Sequence, residues 1–99
     1  KALVIKPELA EAHNNLGNVL EELGRLEEAV TSYHKALDIK SDIAGVHNNL
    51  GNTLQGLGKL DDAVTSYHNA LAIKSDYAKA HSNLAGASLH LNQLLSSIY

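Results

Sequence analysis

The chain has 99 residues, of which 44% are hydrophobic and 19% are charged, with a formal net charge of −3 at pH 7. These values are typical of one folded domain and argue against a disordered chain. Only eight Lys and Arg residues are present, which argues against a nucleic-acid partner, and no apolar run is long enough to predict a membrane span.

No cysteine is present, so disulfides and thiolate metal sites are excluded. The chain does not open with a signal-peptide pattern, and on that ground we expect a cytoplasmic location.

The sequence repeats itself with a period of 34 residues. Residues 10–43 and 44–77 are identical at about two-thirds of their paired positions, as in arrays of stacked helical units. Residues 1–9 align with the end of each unit, and residues 78–99 begin a third unit. We therefore expect a single domain that comprises the end of a preceding repeat (1–9), two repeats (10–43 and 44–77) and a partial repeat or C-terminal capping helix (78–99). The same frame predicts that the chain is a fragment of a longer protein.

Each unit is predicted to be a hairpin of two amphipathic helices. In the first unit, apolar residues recur at helical spacing over 10–23 and again over 26–39. Gly24 lies between these segments and is suited to the left-handed conformation that ends a helix. Gly58 has the same place in the second unit.

Small and capping residues add detail to these hairpins. Gly17 and Gly51 lie inside the predicted first helices, where glycine costs stability, and this predicts close packing opposite Ala29 and Ala63. Three further sites are predicted to start helices: Pro7 at a first helical position, and Ser41-Asp42 and Ser75-Asp76 as N-caps.

The third unit departs from the other two after its first helix begins. Asn92 stands where the turn glycines would be. Because Asn tolerates a left-handed cap, a short turn followed by a folded-back tail is one prediction. A continuous helix to the C-terminus is the other.

The spacing resembles the tetratricopeptide repeat (TPR) signature, W-x₂-L-G-x₂-Y followed by A-x₃-F and P. The matching positions in the two complete units are His13, Leu16, Gly17, Leu20, Ala29, Tyr33 and Ala36, and His47, Leu50, Gly51, Leu54, Ala63, Tyr67 and Ala70. Histidine replaces the signature Trp, and Ser41 and Ser75 replace the closing Pro. The resemblance implies an all-α, right-handed superhelical solenoid of antiparallel helix hairpins that acts as a protein–protein interaction scaffold.

In this family, the first helices of successive repeats line a concave groove that holds an extended or helical peptide. On that face, asparagines recur in register, and an amide can both donate to and accept from a peptide bond. The row is similar to the asparagine-lined TPR groove of O-GlcNAc transferase. Inherited packing between repeats is an equally weighted explanation. The predicted peptide-binding residues are Asn14, Asn15, Asn18, Asn48, Asn49, Asn52, Lys79, Asn83 and Leu89.

A carboxylate clamp for acidic tails, which some members of this family carry, is disfavoured. Asn18, Asn49 and Lys79 fit that pattern, but Asn14 and Asn83 stand where basic residues are required. The charge-assisted contacts to a carboxylate would therefore be missing.

Catalysis, cofactors and metal binding have no support in the sequence. The histidines are not paired at ligand spacing on one helix, and no residues are placed as a nucleophile and base. Two alternatives to the scaffold stay open: the targeting segment of a larger enzyme that resembles O-GlcNAc transferase, and a self-assembling or engineered structural fragment without a ligand. Homodimers or end-to-end stacks are predicted through an apolar C-terminal surface of Leu84, Leu91, Leu94, Leu95 and Ile98.

Overall fold

The computed structural model describes residues 6–98 and consists of five α-helices in that range. They are α1 (Pro7–Glu22), α2 (Leu26–Ile39), α3 (Ala44–Gly56), α4 (Leu60–Ile73) and α5 (Ala78–Ser96). α1 pairs with α2 and α3 pairs with α4, whereas α5 packs on α4. The predicted all-α array of helix hairpins is confirmed. The part of the predicted N-terminal half-repeat that covers residues 1–5 lies outside the described residues, as does Tyr99.

Both turns between paired helices have the same geometry. Gly24 and Gly58 adopt φ of 77° and 79°, as their positions predict. The amide of Arg25 donates to the carbonyl of Leu20 at 2.9 Å, and the amide of Gly24 donates to the carbonyl of Glu21 at 3.0 Å. This pair of hydrogen bonds is the Schellman motif, which satisfies the last carbonyls of the helix.

The core lies between the helices of each hairpin and between neighbouring hairpins. Tyr33 and Tyr67 are fully buried, and small alanines around them let the helices approach. The buried residues that form one connected core cluster are Leu20, Ala29, Tyr33, Ala36, Val46, Leu50, Leu54, Ala63, Tyr67 and Ala87.

The interior glycines lie closest to tyrosine rings, which the sequence did not predict. A Cβ built on Gly17 would lie 2.5 Å from Tyr33 Cε1, and one built on Gly51 would lie 2.5 Å from Tyr67 Cε1. The closest approach is therefore to the tyrosine rings, and the predicted partners Ala29 and Ala63 are fully buried in the same core.

The predicted serine and aspartate N-caps are wrong. The caps of α3 and α5 are Ile43 and Tyr77, and neither makes a side-chain capping hydrogen bond. The serines contribute their backbone instead, because His47 Nε2 lies 2.9 Å from the carbonyl of Ser41 and an equivalent contact joins His81 to Ser75. A carbonyl can only accept, so the histidine Nε2 carries the proton.

The ends of the described chain also differ from the repeat frame. Pro7 lies at the start of α1, as predicted, and this helix begins three residues earlier relative to the repeat than α3 does. At the other end, α5 continues through Asn92 to Ser96, so the continuous helix is confirmed and the turn is not formed.

Candidate functional site

The first helices of the three units, α1, α3 and α5, are joined by amide–amide hydrogen bonds. Asn49 Nδ2 lies 3.2 Å from Asn14 Oδ1 and 3.1 Å from Asn18 Oδ1, and it donates across the gap from α3 to α1. Asn83 Nδ2 donates to Asn48 Oδ1 at 3.0 Å in the same way. The asparagine row therefore has a packing role between repeats, which was one of its two predicted explanations.

A second set of polar contacts ties each buried tyrosine to the first helix of its own hairpin. The Tyr33 hydroxyl lies 2.7 Å from Asn18 Oδ1 and 2.9 Å from Glu21 Oε1, so it can donate its proton to either. The Tyr67 hydroxyl lies 2.6 Å from Asn52 Oδ1 and 3.1 Å from Gln55 Oε1.

Burial and a nearby negative charge favour the neutral form of both tyrosines. Burial is the main cause of the raised pKa of Tyr33, followed by the hydrogen bond to Glu21. Burial, followed by the charge of Glu21, raises the pKa of Tyr67 to about 12. The Glu21 carboxylate thus acts on the tyrosines of both hairpins.

These contacts surround an open depression of about 410 Å³ between α1 and α3, lined by Asn18, Glu21, Glu22, Asn49 and Asn52. Thr53 Oγ1, from α3, lies 3.0 Å from Glu21 Oε1. The Glu21 carboxylate is therefore oriented by groups on two other helices. The depression combines amide donors and acceptors with two carboxylates, a set that suits a peptide backbone or a cationic group.

The predicted site residues differ widely in accessibility. Asn15, Lys79 and Leu89 are exposed, and the exposed fraction of Leu89 is 60%. Asn48 is only 3% exposed, so its amide is used between the repeats and is closed to a ligand. The remaining members are half-buried: Asn14, Asn18, Asn49, Asn52 and Asn83.

The structure adds Glu21, Glu22 and Thr53 to the site. In the sequence, the two glutamates are charged residues near the end of the first helix, and nothing local to them indicates the contact of Glu21 with Thr53. Thr53 was not predicted at all, although one signal was available, because a polar residue here replaces Val19 of the first unit.

Comparison with known proteins gives the family. The family model described as TPR repeat matches residues 17–58 and 56–91, and the model described as tetratricopeptide repeat matches residues 1–31. The chain belongs to the tetratricopeptide repeat family. No curated protein matches this TPR chain in sequence.

Solved structures with the same fold include two TPR domains. The first TPR of Spaghetti (RPAP3), bound to HSP90 peptide SRMEEVD, is similar with a TM-score of 0.87 and 24% identity, over 94% of this chain and 74% of that one. The first TPR domain of human RPAP3 is similar with a TM-score of 0.85 and 26% identity, over 90% of this chain and 70% of that one. MamA is similar with a TM-score of 0.83 and 21% identity, over 88% of this chain and 51% of that one.

A second cavity of the TPR array lies away from the asparagine row of the first helices, on the side of the second helices. It measures about 400 Å³ and is lined by His34, Leu37, His47, Leu50, Leu54, Asp62, Thr65, Ser66 and Asn69. Among the described residues, no group of three or more His, Asp or Glu side chains could hold a metal ion. Within the same residues, no helix has the length and apolar character needed to cross a membrane.

Proposed function

We propose that this TPR chain is a protein-interaction module that binds an extended peptide across α1, α3 and α5. The supporting observation is the depression between α1 and α3, where half-buried amides in register meet open solvent. Each amide offers two N–H donors and one oxygen. The inter-repeat contacts of Asn49 and Asn83 use their N–H groups, so their oxygens are left for a peptide N–H.

The bound peptide is not expected to resemble the acidic SRMEEVD segment in the RPAP3 complexes. Asn14 and Asn83 supply amides rather than positive charges, and Glu21 and Glu22 would repel a carboxylate. We infer that the ligand is neutral or basic, and that its backbone is held by Asn15, Asn18, Asn49, Asn52 and Asn83.

The test is the affinity for peptides selected from a displayed random library, measured by fluorescence anisotropy. We expect Asn15→Ala to weaken binding several-fold without loss of stability, because Asn15 is exposed and lies in the same row as Asn49 and Asn83. The double variant Asn49→Ala and Asn83→Ala should weaken binding at least tenfold and also lower the melting temperature, because it removes contacts between the repeats.

Asn69→Ala is the matched control, since Asn69 is an exposed amide on the second helix α4. It should change neither affinity nor helicity. Unchanged affinity in Asn15→Ala and in the double variant, with helicity retained, would contradict peptide binding by these amides.

A second candidate is a substrate-docking segment of a larger enzyme similar to O-GlcNAc transferase. The observation that favours it is the use of amides rather than lysines on the groove side of α1 and α3. In that case, a nucleotide-sugar-binding domain would be expected in the same polypeptide. Its absence from the full-length protein would remove this candidate and leave the peptide-binding module.

A further inference from the structure

Two rows of residues run across the three first helices, and each row consists of equivalent positions of the three repeats. The residue type is constant in one row and varies in the other. The constant row is Asn15, Asn49 and Asn83, the same residue three times. The variable row is Glu21, Gln55 and Leu89, which has a carboxylate, an amide and an apolar side chain at equivalent positions. Equivalent positions with unlike chemistry are suited to discriminating between the side chains of a ligand.

The Glu21 end of the variable row is built to receive a positive charge. The hydroxyls of Tyr33 and Thr53, from two neighbouring helices, lie 2.9 Å and 3.0 Å from one carboxylate oxygen of Glu21, and Glu22 lies beside it in the same depression. Each hydroxyl has one proton and a second acceptor within reach, so the carboxylate keeps capacity to accept from a ligand. Within residues 6–98, the two ion pairs join Arg25 to Glu28 and Lys40 to Asp42, and neither involves Glu21. A half-buried carboxylate without a cation gains most from a charge-assisted hydrogen bond.

Gln55 shows that this register does not need a charge for the fold. Its Oε1 lies 3.1 Å from the Tyr67 hydroxyl, as Glu21 Oε1 lies 2.9 Å from the Tyr33 hydroxyl. An amide oxygen therefore serves the tyrosine as well as a carboxylate does. The negative charge of Glu21 is left for a role other than packing.

The Leu89 end of the row has the opposite character. Leu89 projects an apolar side chain that is 60% exposed, whereas Glu21 and Gln55 are half-buried polar groups. Burial of such a side chain against an apolar group of a ligand is favourable, because it removes apolar surface from water.

We propose that the groove selects an extended peptide that places a Lys or Arg side chain at Glu21 and an apolar side chain at Leu89. This inference rests on the proposed peptide binding. If successive first helices lie about 10 Å apart, α1 and α5 are roughly 20 Å apart. An extended chain covers that distance in about six residues, so the two selected residues are about six positions apart.

The test begins with a phage-displayed library of random nonapeptides, selected on the whole chain. Enriched peptides should carry a basic and an apolar residue at this separation. Two synthetic peptides from the selection, one with Lys and one with Gln at the basic position, are then measured by anisotropy. Wild type should prefer the Lys peptide about tenfold, and added salt should reduce that preference.

Glu21→Gln is the decisive variant, because it copies the residue that the second repeat uses. It should abolish the preference for Lys through a loss of affinity for the Lys peptide, while the melting temperature stays unchanged. Glu27→Gln is the control, since it removes the same charge from the exposed surface of α2 and should keep the full preference. Leu89→Gln should lower affinity for an apolar-ended peptide several-fold, whereas Ile73→Gln, at an exposed apolar site on α4, should have no effect.

The outcomes separate this inference from the function on which it rests. Peptides that bind through the asparagines without a basic residue, or a preference for Lys that survives Glu21→Gln, would overturn the inference and leave peptide binding intact. A library that enriches no peptide at all would overturn both.

Discussion

The side chain of Tyr67 is affected by burial, by hydrogen bonds and by a nearby negative charge. It is fully buried, its hydroxyl contacts Asn52 and Gln55 on α3, and the carboxylate of Glu21 lies near enough to raise its pKa. Ionisation would place a negative charge in this environment, at a cost in free energy.

Stability is accordingly expected to fall in alkaline solution. The pKa of Tyr67 is raised from 10.0 to about 12, so its neutral form is favoured by the fold. This contribution is present in full below pH 10 and is lost as the pH rises towards 12. Each pKa unit is worth about 1.4 kcal/mol. The measurement is the free energy of unfolding in urea at several pH values between 8 and about 12.

Tyr67→Phe provides the comparison. It should cost about 1 kcal/mol at pH 8, where it removes a hydrogen bond. This difference from wild type should shrink as the pH rises and change sign as the pH approaches 12, because the loss from ionisation is larger than one hydrogen bond. Parallel curves for the two proteins would contradict the raised pKa.

At the scale of the helices, each hairpin depends on a glycine that faces a tyrosine ring. Gly17 meets Tyr33 and Gly51 meets Tyr67, at distances that leave no space for a Cβ. The third repeat has Ala85 in this register, and α5 has no following helix that would bring a tyrosine against it within the described residues. The glycine is therefore present in the two repeats in which a tyrosine ring packs on it.

Gly51→Ala should destabilise the fold by about 1–3 kcal/mol, because the added methyl group overpacks the α3–α4 contact. Gly86→Ala is the matched control, since it lies in the helix α5 with nothing within 4 Å of its Cβ position. There, alanine should stabilise by about 0.5–1 kcal/mol. Thermal and urea unfolding measure the stability of both variants. The same change in stability for Gly51→Ala and Gly86→Ala would exclude the packing explanation.

The hairpins were predictable because their signals are local and occur twice. Gly24 and Gly58 follow periodic apolar segments, and the bounds of the second helix, 26–39, agree with α2. The N-caps were not predictable from the same kind of signal. Ser41 is a good capping residue on its own, but its carbonyl accepts from His47, six residues further on, and the helix begins later.

The role of the asparagines could not be decided from the sequence either. The sequence does not distinguish the exposed Asn15 from the buried Asn48. The pairing of Asn48 with Asn83 depends on how closely α3 and α5 approach each other. Likewise, the sequence alone indicates a surface charge at Glu21, and only the fold shows its contacts with Tyr33 and Thr53 from other helices.

At the scale of the whole molecule, the chain is elongated, with extents of 56 × 30 × 23 Å. An apolar surface lies along the last turns of α5 and just beyond, where Leu94, Leu95 and Ile98 are 47%, 49% and 73% exposed. Leu91 continues it as a half-buried residue, whereas Leu84, which was predicted to belong to this surface, packs against the core. Exposed apolar surface of this kind favours association.

We propose that this surface joins two copies of the chain, and we expect a concentration-dependent mass in light scattering at tens of micromolar. Leu95→Lys with Ile98→Lys should give a monomer, because a charge at such a contact is costly to desolvate. Ile73→Lys places the same charge on an exposed apolar site of α4 and should leave the mass unchanged. A monomeric wild type across this concentration range would rule out self-association.

The amide bridge from Asn14 to Asn49 is repeated from Asn48 to Asn83, and each spans 35 positions where the sequence period is 34. Both of these bridges therefore start on one copy of the unit and finish on the next, one position further along. A tandem duplication of residues 44–77 would bring its own donor and its own acceptor, and it would fit between its neighbours without any compensating substitution. The length of the array is thereby open to change by a single genetic event.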